Sequence, residues 1–317
     1  MKKVFIEGNI SLDLILGEID DFPGWGIELL IPGYTMRPGG QASNTVLALG
    51  SLAVPVYVVG TIGEDNVGQD IRTSYEKWGV RTDYLFALHQ IPTGLSVAVT
   101  NRNTHERTFL TELGAQREIS VAHLEEMYSS VHNGDFFLIC GYFLSNSLRT
   151  DELVIFLQKM KIEKPRTILL LDTGWPPEGW TRDVKNEVFN LLPYFDYFLP
   201  NEIEVENLTD KKPLQLFHEW SGTLIVKIGK EGSRIITPHD SLQVPTIQVE
   251  VKDTIGAGDY FNAGFIWGLW KGFDLVKSVR AANIVASLNI SLDAHRQVLV
   301  HPEDIEPYLM SERSKII

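Results

Sequence analysis

A run of small residues around an acid, "DTIGAGDYFNAGF" at 253–265, is the strongest candidate for chemistry in this sequence. Apolar residues recur at helical spacing from Ala257 onward, which predicts a helix that begins inside "GAGD" and ends near Lys271-Gly272. The unbonded N–H groups of a first helical turn favour an anion, and glycine lets that anion come close to the backbone. Asp259 lies in the same turn and would repel the anion, so we expect its carboxylate to have a task such as accepting a proton.

The elements that must position this turn alternate along the chain. Near-continuous Val, Ile and Leu runs indicate strands buried on both faces, as in a parallel sheet. Helical patterns between them indicate an α/β fold with right-handed crossovers. The predicted strands are 3–8, 56–61, 135–141, 167–172, 196–200 and 223–229, and the predicted helices are 42–53, 65–78, 120–132, 150–163, 181–192 and 201–208.

Two segments break this alternation. Residues 14–37 mix Gly, Pro and aromatic residues without a helical period, and residues 94–111 have the pattern of two strands around a turn that contains Asn and His. They are either a small accessory sheet that forms a lid or two ordinary surface hairpins. Ligands in α/β folds bind at the carboxyl ends of the strands, so we expect the site at that edge of the sheet.

Composition and charge exclude several classes of protein. The 317 residues are 44% hydrophobic and 22% charged with a net charge of −13, which is typical of a globular protein with a solvated acidic surface. Nucleic acid is not expected as a partner, because phosphate backbones need clustered Lys and Arg. Cys140 is the sole cysteine, so neither an intramolecular disulfide nor a cysteine-rich metal site is expected. The sequence has no signal-peptide pattern and no run of about 18 apolar residues, so we expect a cytoplasmic protein without a membrane partner.

Several common catalytic motifs are incomplete. "GEDNVGQD" ends without the Lys-Ser pair of a P-loop, and "GAGDYF" lacks the third glycine of the dinucleotide fingerprint. "HEW" lacks the second histidine of a zinc-protease motif, and "GLSVA" lacks the last glycine of a nucleophile elbow. P-loop, dinucleotide-binding, zinc-protease and hydrolase functions therefore have no motif to support them.

Five motifs in order resemble those of the ribokinase-like (PfkB-type) carbohydrate kinase family. "DTIGAGDYFNAGF" matches the C-terminal signature D-T-x-G-A-G-D-x-F-x-x-G, and "GGQASNTVLALGSL" followed by "VVGTIGEDNVGQDI" resembles the N-terminal one. "TFLTELGA", "PNEIE" and "VKIGKEGS" follow the family's order and spacing. The resemblance covers nearly the whole chain. It implies one kinase domain over residues 1–317, with a three-layer α/β/α core, a mainly parallel sheet, and a small β-sheet lid from segments 14–37 and 94–111.

The resemblance implies an enzyme that transfers the γ-phosphoryl group of ATP to a hydroxyl of a sugar or sugar-like small molecule. Such a transfer needs positioning, a place for the phosphoryl oxygens, a divalent metal and a group that takes the hydroxyl proton. Asp259 would be the base, and the N–H groups of Gly256, Ala257 and Gly258 would form the anion hole. The alternative for Asp259 is an ordinary acid in a first helical turn, favoured by the helix dipole.

The metal assignments have structural alternatives. "PNEIE" resembles the family's N-x-x-E element, so Asn201 and Glu204 would hold Mg²⁺ through water. The same spacing is that of a helix capping box, and a capped helix would also fix these side chains for a metal. Asp253 either contributes to a site for a metal or a monovalent cation such as K⁺, or bonds the N–H groups of its own turn. The segment 291–302 lacks the small Gly-Ala turn usual in the family near the adenine and cation pockets.

The remaining family positions concern the two substrates. On the nucleotide side the resemblance assigns Lys227, Gly229, Gly232 and Asn283, where Lys227 replaces a common Thr and Asn283 is alternatively a solvated helix residue. On the acceptor side it assigns Asp13, Gly39, Gly40 and Asn44. Asp13 would accept hydrogen bonds from sugar hydroxyls, the glycines would admit the sugar to the backbone, and Asn44 would add an amide. The alternatives are a plain turn and a polar residue in a first helical turn.

Other functions are also open from the sequence. The acceptor could be a nucleoside, an aldonate or a sugar phosphate, and a phosphorylated acceptor would need Arg37, Arg102 or Arg107 near the lid. From a different class, the chain could be a catalytically inactive sugar- or nucleotide-binding protein, although the intact Asp259 and glycines argue against that. The resemblance leaves two oligomeric states open: a homodimer through the lid, since lid sheets in this family often pair, or a monomer, since monomers also occur in it.

Overall fold

The computed structural model describes residues 2–104, 107–292 and 299–310. The positions 105–106 of the predicted lid and 293–298 of the C-terminal segment 291–302 therefore lie outside the described residues. Within them, no helix is both long and apolar enough to cross a membrane. The strands are β1 Val4–Gly8, β2 Ser11–Leu16, β3 Tyr34–Gly39, β4 Val56–Gly63, β5 Arg81–Leu88, β6 Gly94–Thr100, β7 Arg107–Glu112, β8 Phe136–Cys140, β9 Ile168–Asp172, β10 Tyr197–Phe198, β11 Thr223–Lys227, β12 Ser233–Ile236 and β13 Ser241–Val244.

A nine-stranded sheet forms the centre of the molecule, in the order β13-β12-β11-β10-β9-β8-β1-β4-β5. The strands from β11 to β5 in this order are parallel, and β12 and β13 continue one edge as antiparallel strands. The helices are α1 Gln41–Ser51, α2 Asn66–Lys77, α3 Val121–Tyr128, α4 Asp151–Glu163, α5 Arg182–Leu191, α6 Glu202–Thr209, α7 Ala257–Trp270, α8 Leu275–Ile290 and α9 Pro302–Met310.

Two apolar clusters cover the two faces of this sheet. One joins alternate residues of β1 such as Val4 and Ile6 to α1, α7 and α8, and the other joins Phe5 to α3, α4 and α5. Successive residues of a strand point to opposite faces, so a continuous apolar run supplies both clusters. The predicted three-layer core with a mainly parallel sheet is confirmed.

The predicted small sheet is also confirmed, with strand order β3-β2-β6-β7. Strand β2 pairs antiparallel with β3 and parallel with β6, and β6 pairs antiparallel with β7. The sheet begins at Ser11, three residues before the predicted segment, because β2 follows β1 after only Asn9 and Ile10. Asp13 therefore lies within a strand of the small sheet, where its neighbour across the pair is Arg37.

Helix α7 packs against α8 through glycines. A Cβ atom on Gly264 would lie 2.8 Å from the Cα of Ala282, and one on Gly268 would lie 2.7 Å from the Cα of Ser278. The backbones approach so closely that neither position has room for a side chain. This contact fixes the helix whose first turn carries the predicted anion site.

Glu7 is an acid enclosed in the core of the central sheet. Its side chain is fully buried, Oε1 accepts a hydrogen bond of 3.1 Å from the Ser145 hydroxyl, and Oε2 has no hydrogen-bond partner among the described residues. Burial raises the pKa of Glu7 from 4.5 to about 8, and the hydrogen bond from Ser145 opposes that rise. The carboxyl group is therefore held in its neutral form near pH 7.

We expect the free energy of unfolding to depend on this group. Since the folded-state pKa lies above the unfolded one, the stabilisation is full below pH 4.5 and is lost as the pH rises through 8. The melting temperature of the wild type should therefore fall more steeply between about pH 4.5 and pH 8 than that of Glu7→Gln. Glu206→Gln, at an exposed position of α6, is the control and should follow the wild type in a thermal melt. Parallel curves for wild type and Glu7→Gln would contradict the buried neutral acid.

Candidate active site

Asp259 is the third residue of α7 and is only 6% exposed. The Nδ2 atom of Asn44 in α1 donates a hydrogen bond of 2.7 Å to Oδ2 of Asp259. Burial raises the pKa of Asp259 from 3.8 to about 7, while the bond from Asn44 and the charge of Lys227 lower it and the charge of Asp172 adds to the rise. A carboxylate with this pKa is suited to exchange a proton at neutral pH.

The start of α7 has the form that the sequence predicts. Gly256 is the N-cap residue in the left-handed region at φ 73°, and no side chain caps the helix. The N–H of Ala257 donates a long hydrogen bond of 3.3 Å to the carbonyl of Thr254, so it is partly engaged. Of the three predicted anion-hole groups, those of Gly256 and Gly258 have no such bond among the backbone contacts outside regular elements.

Asp13 is buried in β2 of the small sheet. The charges that act on it come from Arg37 of β3 and Arg107 of β7 in the same sheet. Burial raises its pKa from 3.8 to about 6, against the charges of Arg37 and Arg107 and a hydrogen bond from the Ser11 hydroxyl. The charge of Asp13 in turn raises the pKa of Asp259. The two acids predicted for the acceptor and for catalysis therefore lie close enough to interact.

The two glycines at 39 and 40 leave space for neighbouring residues of the chain. A Cβ on Gly39 would lie 1.9 Å from Oδ1 of Asp13, and one on Gly40, at φ 88°, would lie 2.3 Å from the carbonyl oxygen of Asn9. Their contact with a sugar stays a prediction. Asn44 contacts Asp259, a partner that its place in the sequence did not indicate.

A cavity of about 590 Å³ opens on the other side of the start of α7. All four residues predicted for the nucleotide line it, namely Lys227, Gly229, Gly232 and Asn283. Its apolar wall is formed by Ile247, Val249, Val251, Phe261, Ala286 and Ile290. Ala257 and Gly258 line the same cavity, so an apolar pocket and the predicted anion hole are continuous.

Asn283 is part of the cavity floor. It is 3% exposed, and its Nδ2 donates to the carbonyl oxygen of Val244 at 2.9 Å. The alternative of a solvated helix residue is therefore wrong. The helical pattern alone did not reveal this, because the neighbouring strand β13 that buries the amide is distant in sequence.

Asn201 and Glu204 form the capping box that their spacing predicts. The Asn201 side chain accepts from the N–H of Glu204 and the Glu204 carboxylate accepts from the N–H of Asn201, both at 2.9 Å. Glu204 is buried, and burial with the charge of Asp172 raises its pKa to about 7, against the charge of Lys227. Within the described residues, no group of three or more His, Cys, Asp and Glu side chains could hold a metal ion.

Asp253 is bound within the protein. Its Oδ1 accepts the N–H of Ile255 at 2.9 Å and pairs with the Arg107 guanidinium at 2.8 Å. The hydrogen bond from the N–H of Ile255 is the second of the two roles expected for Asp253 from the sequence, a bond within its own turn. The ion pair with Arg107 of β7 is new, and it places a side-chain cation against the carboxylate that was predicted to meet a bound cation.

Sequence reasoning missed Asp172 and Asn262. Oδ2 of Asp172, at the end of β9, accepts from Nζ of Lys227 at 2.7 Å and from Nδ2 of Asn262 at 2.6 Å. An acid at the carboxyl end of "TILLLD" was a usable signal, since ligands of a parallel sheet bind at that edge. Asn262 lies one turn after Asp259 in the same helix and had no signal of its own.

Comparisons with known proteins agree with this arrangement. The family model described as pfkB family carbohydrate kinase matches residues 7–295. The chain is 28% identical over 294 residues to a ribokinase of Bacillus subtilis, covering 92% of this chain and 93% of that one. It is 28% identical over 283 residues to an adenosine kinase of Saccharomyces cerevisiae, covering 83% and 80%.

Solved structures share the fold. A fructokinase of Vibrio cholerae superimposes with a TM-score of 0.80 at 21% identity, covering 98% of this chain and 99% of that one. An Escherichia coli protein, solved with ATP and Mg²⁺, gives a TM-score of 0.83 at 20% identity with coverage of 98% and 99%. Because the family model matches residues 7–295, which is nearly all of this chain, the chain belongs to the pfkB family of carbohydrate kinases.

Proposed function

We propose that the chain transfers the γ-phosphoryl group of ATP to a hydroxyl of a sugar or sugar-like small molecule. The observation that carries this is the place of Asp259. It lies at the start of α7, directly after Ala257 and Gly258, which line the 590 Å³ cavity, and it accepts a hydrogen bond from Asn44 and is affected by the charge of Asp13. A base between the cavity proposed for the nucleotide and the residues proposed for the acceptor is what transfer between two bound molecules needs.

Asp259 accepts the proton of the acceptor hydroxyl. As the acceptor oxygen forms its bond to the γ-phosphorus, the bond from that phosphorus to the bridging oxygen breaks, and ADP leaves with the electron pair. Asn44 orients the carboxylate through the bond to Oδ2. The N–H groups of Gly256 and Gly258, with Ala257 between them, face the phosphoryl oxygens at the positive end of the helix.

The nucleotide occupies the cavity beside this turn. Its apolar wall suits a purine, while Lys227, Gly229 and Gly232 at the other side suit phosphates. The structural neighbour solved with ATP and Mg²⁺ supports ATP as the nucleotide. Asn283 shapes the floor through its bond to Val244.

Asn201 and Glu204 fit a water-mediated Mg²⁺ site. Mg²⁺ prefers oxygen ligands, keeps several waters and is held by one or two carboxylates with substrate phosphates, which agrees with the absence of a three-acid cluster among the described residues. Bound there, the ion would neutralise charge on the phosphate oxygens. A monovalent cation such as K⁺, present in a solved fructokinase variant of Vibrio cholerae, would have to share Asp253 with Arg107.

The acceptor lies beside Asp13. Two of the three arginines considered for a phosphorylated acceptor are bound in ion pairs, Arg102 with Asp20 and Arg107 with Asp253. The third, Arg37, lies opposite Asp13 across the strand pair. The ribokinase and adenosine kinase relatives support a neutral sugar or a nucleoside, and the 5-dehydro-2-deoxygluconokinase and ATP-dependent 6-phosphofructokinase relatives support an aldonate or a sugar phosphate, so the screen below includes all four classes.

A screen of free sugars, nucleosides, aldonates and sugar phosphates with ATP and Mg²⁺ tests the proposal through ADP formation. Acceptor-dependent ADP formation is expected with at least one class. A folded wild type that binds ATP and forms no ADP with any of them would favour the catalytically inactive binding protein instead.

The architecture fits one kinase domain over residues 1–317, with the second sheet as its lid. We further propose that the lid pairs two chains into a homodimer. Its strands expose Tyr34 on β3 and Phe109 and Leu110 on β7, and the exposed fractions are 66%, 49% and 58%. Both β3 and β7 are edge strands of the small sheet, and exposed apolar side chains on an edge strand favour pairing with another chain.

The first prediction concerns Asp259. Asp259→Asn should keep ATP affinity and lower kcat by about 10²–10⁴, the usual contribution of a positioned general base. Because the base acts ionised, wild-type kcat should rise with pH through about 7, and the variant should lose that dependence. Asp274→Asn, at the N-cap of α8, is the control. Near-wild-type turnover of Asp259→Asn in a steady-state assay would remove the assignment.

The second prediction concerns Asp13. Asp13→Ala should lower kcat/KM for the acceptor by about one to two decades, because a hydrogen bond to a charged group contributes about 1.5–3 kcal/mol. ATP affinity measured by calorimetry without acceptor should hardly change. Asp20→Ala, at an exposed position after the same strand, is the control. Weaker ATP binding with an unchanged acceptor preference would show that Asp13 contacts the nucleotide and not the acceptor.

The third prediction concerns the lid. Sedimentation should report a dimer for the wild type and a shift toward monomer for Leu110→Glu. A charged side chain at this position of β7 would have to be desolvated in the interface. Ile155→Glu changes an equally exposed residue of α4, 63% exposed, and should leave the dimer intact. A monomeric wild type at all concentrations would exclude the pairing.

A further inference from the structure

Lys227 and Asp172 form a buried ion pair between the nucleotide cavity and the acids of the site. The Nζ–Oδ2 distance is 2.7 Å, and the side chains are 13% and 4% exposed. The same Oδ2 accepts from Nδ2 of Asn262 at 2.6 Å, and Oδ1 accepts the N–H of Gly174 at 3.2 Å. Three elements, β9, β11 and α7, therefore hold the ammonium in one place.

The ammonium faces the start of α7. A Cβ on Gly258 would lie 3.4 Å from Nζ of Lys227. Lys227 lines the cavity together with Ala257 and Gly258, whereas Asp172 is not among the described residues that line it. The Lys227 ammonium is thus accessible to a ligand in the cavity, whereas its counter-ion Asp172 is not part of the cavity lining.

The ammonium has hydrogen-bonding capacity left. It carries three donors, and in the described parts of the chain Asp172 is the one hydrogen-bond acceptor found for Nζ. Its other close contact is with the Phe261 ring, whose centroid lies 5.8 Å away. The two remaining donors can bind oxygens of a ligand.

A cation at this point has an electrostatic task. The acids Asp172, Glu204 and Asp259 would oppose the approach of a triphosphate. The charge of Lys227 lowers the pKa of both Glu204 and Asp259, so its field reaches both groups. It offsets a local excess of negative charge where phosphoryl oxygens would gather.

We propose that Lys227 is the catalytic ammonium that binds the transferring phosphoryl group at the anion hole, and that Asp172, held by Asn262, is its positioning residue. The inference rests on the kinase function proposed above. The ammonium keeps its proton throughout. It donates hydrogen bonds to phosphoryl oxygens while the acceptor oxygen bonds to phosphorus, the bridging bond breaks and Asp259 takes the hydroxyl proton.

Lys227→Met tests the ammonium, since it removes the charge and keeps much of the length. ATP affinity should fall about 10- to 100-fold in calorimetry without acceptor, and adenosine affinity should stay. With acceptor, kcat should fall about 10²- to 10³-fold. Lys185→Met is a matched control, because Lys185 forms a similar pair of 2.6 Å with Asp210 away from the cavity.

Asp172→Asn tests the positioning role. If Asp172 acts through the ammonium, Asp172→Asn should lower kcat about tenfold or more in the wild-type background and should cause little further loss of kcat in the Lys227→Met background. The acid limb of the kcat–pH profile should move to lower pH in Asp172→Asn and to higher pH in Lys227→Met, because their charges act on Asp259 in opposite senses. Asp210→Asn is the control for this arm. Should Asp172→Asn fail to fold, Asn262→Ala removes the supporting amide and leaves both charges.

Two results overturn the inference while leaving the kinase function intact. One is ATP-dependent phosphorylation by Lys227→Met at wild-type kcat and ATP affinity. The other is strictly additive losses in the double variant, with unmoved pH profiles, which would make Asp172 a stabilising residue only. A wild type that neither binds nor consumes ATP would instead overturn the proposed function, and the inference with it.

Discussion

The site depends on keeping one carboxylate away from water. Asp259 is buried and accepts a hydrogen bond from the Asn44 side chain, and the burial raises its pKa to about 7. A group in this condition works only if its surroundings cannot relax, because a small movement would admit water and restore an ordinary carboxylate. The bond from α1 to α7 and the glycine contacts of α7 with α8 supply that rigidity. The apolar layer on this face of the sheet thus holds the Asp259 carboxylate in place as well as stabilising the fold.

The arrangement also explains why the candidate site residues come from both ends of the chain. Strand β1 is an inner strand of the sheet between β8 and β4, so residues just after it adjoin the start of α7. The second sheet reaches the same region through Asp13 and through the pair of Arg107 with Asp253. Because these two contacts join the small sheet to the core near the proposed acceptor position, movement of that sheet would change the electrostatics of the candidate site as well as its access.

Local patterns predicted much of the fold, and distant contacts account for what was missed. The buried strands and the start of α7 follow from apolar runs and from "GAGD". Strand β5 was not predicted because it is an edge strand whose residues alternate between exposed and partly buried, and β12 and β13 are only four residues each. In the site, the capping box is local and was predictable. The bonds from Asp172 to Lys227 and Asn262 span 55 and 90 residues, and no spacing rule reaches that far. The close approach of Gly39 to Asp13 and of Gly40 to Asn9 was likewise not predictable, because these partners are distant in sequence.

The pair of Asp13 and Gly39 constrains the order in which this acceptor side can change during evolution. A side chain at 39 and the carboxylate at 13 would occupy one volume, with 1.9 Å between Cβ and Oδ1. A path that enlarges residue 39 first passes through a clashing intermediate, whereas shortening residue 13 first clears the space. Variation at 39 is therefore conditional on loss of the acid, and the two positions should diversify together or remain as they are.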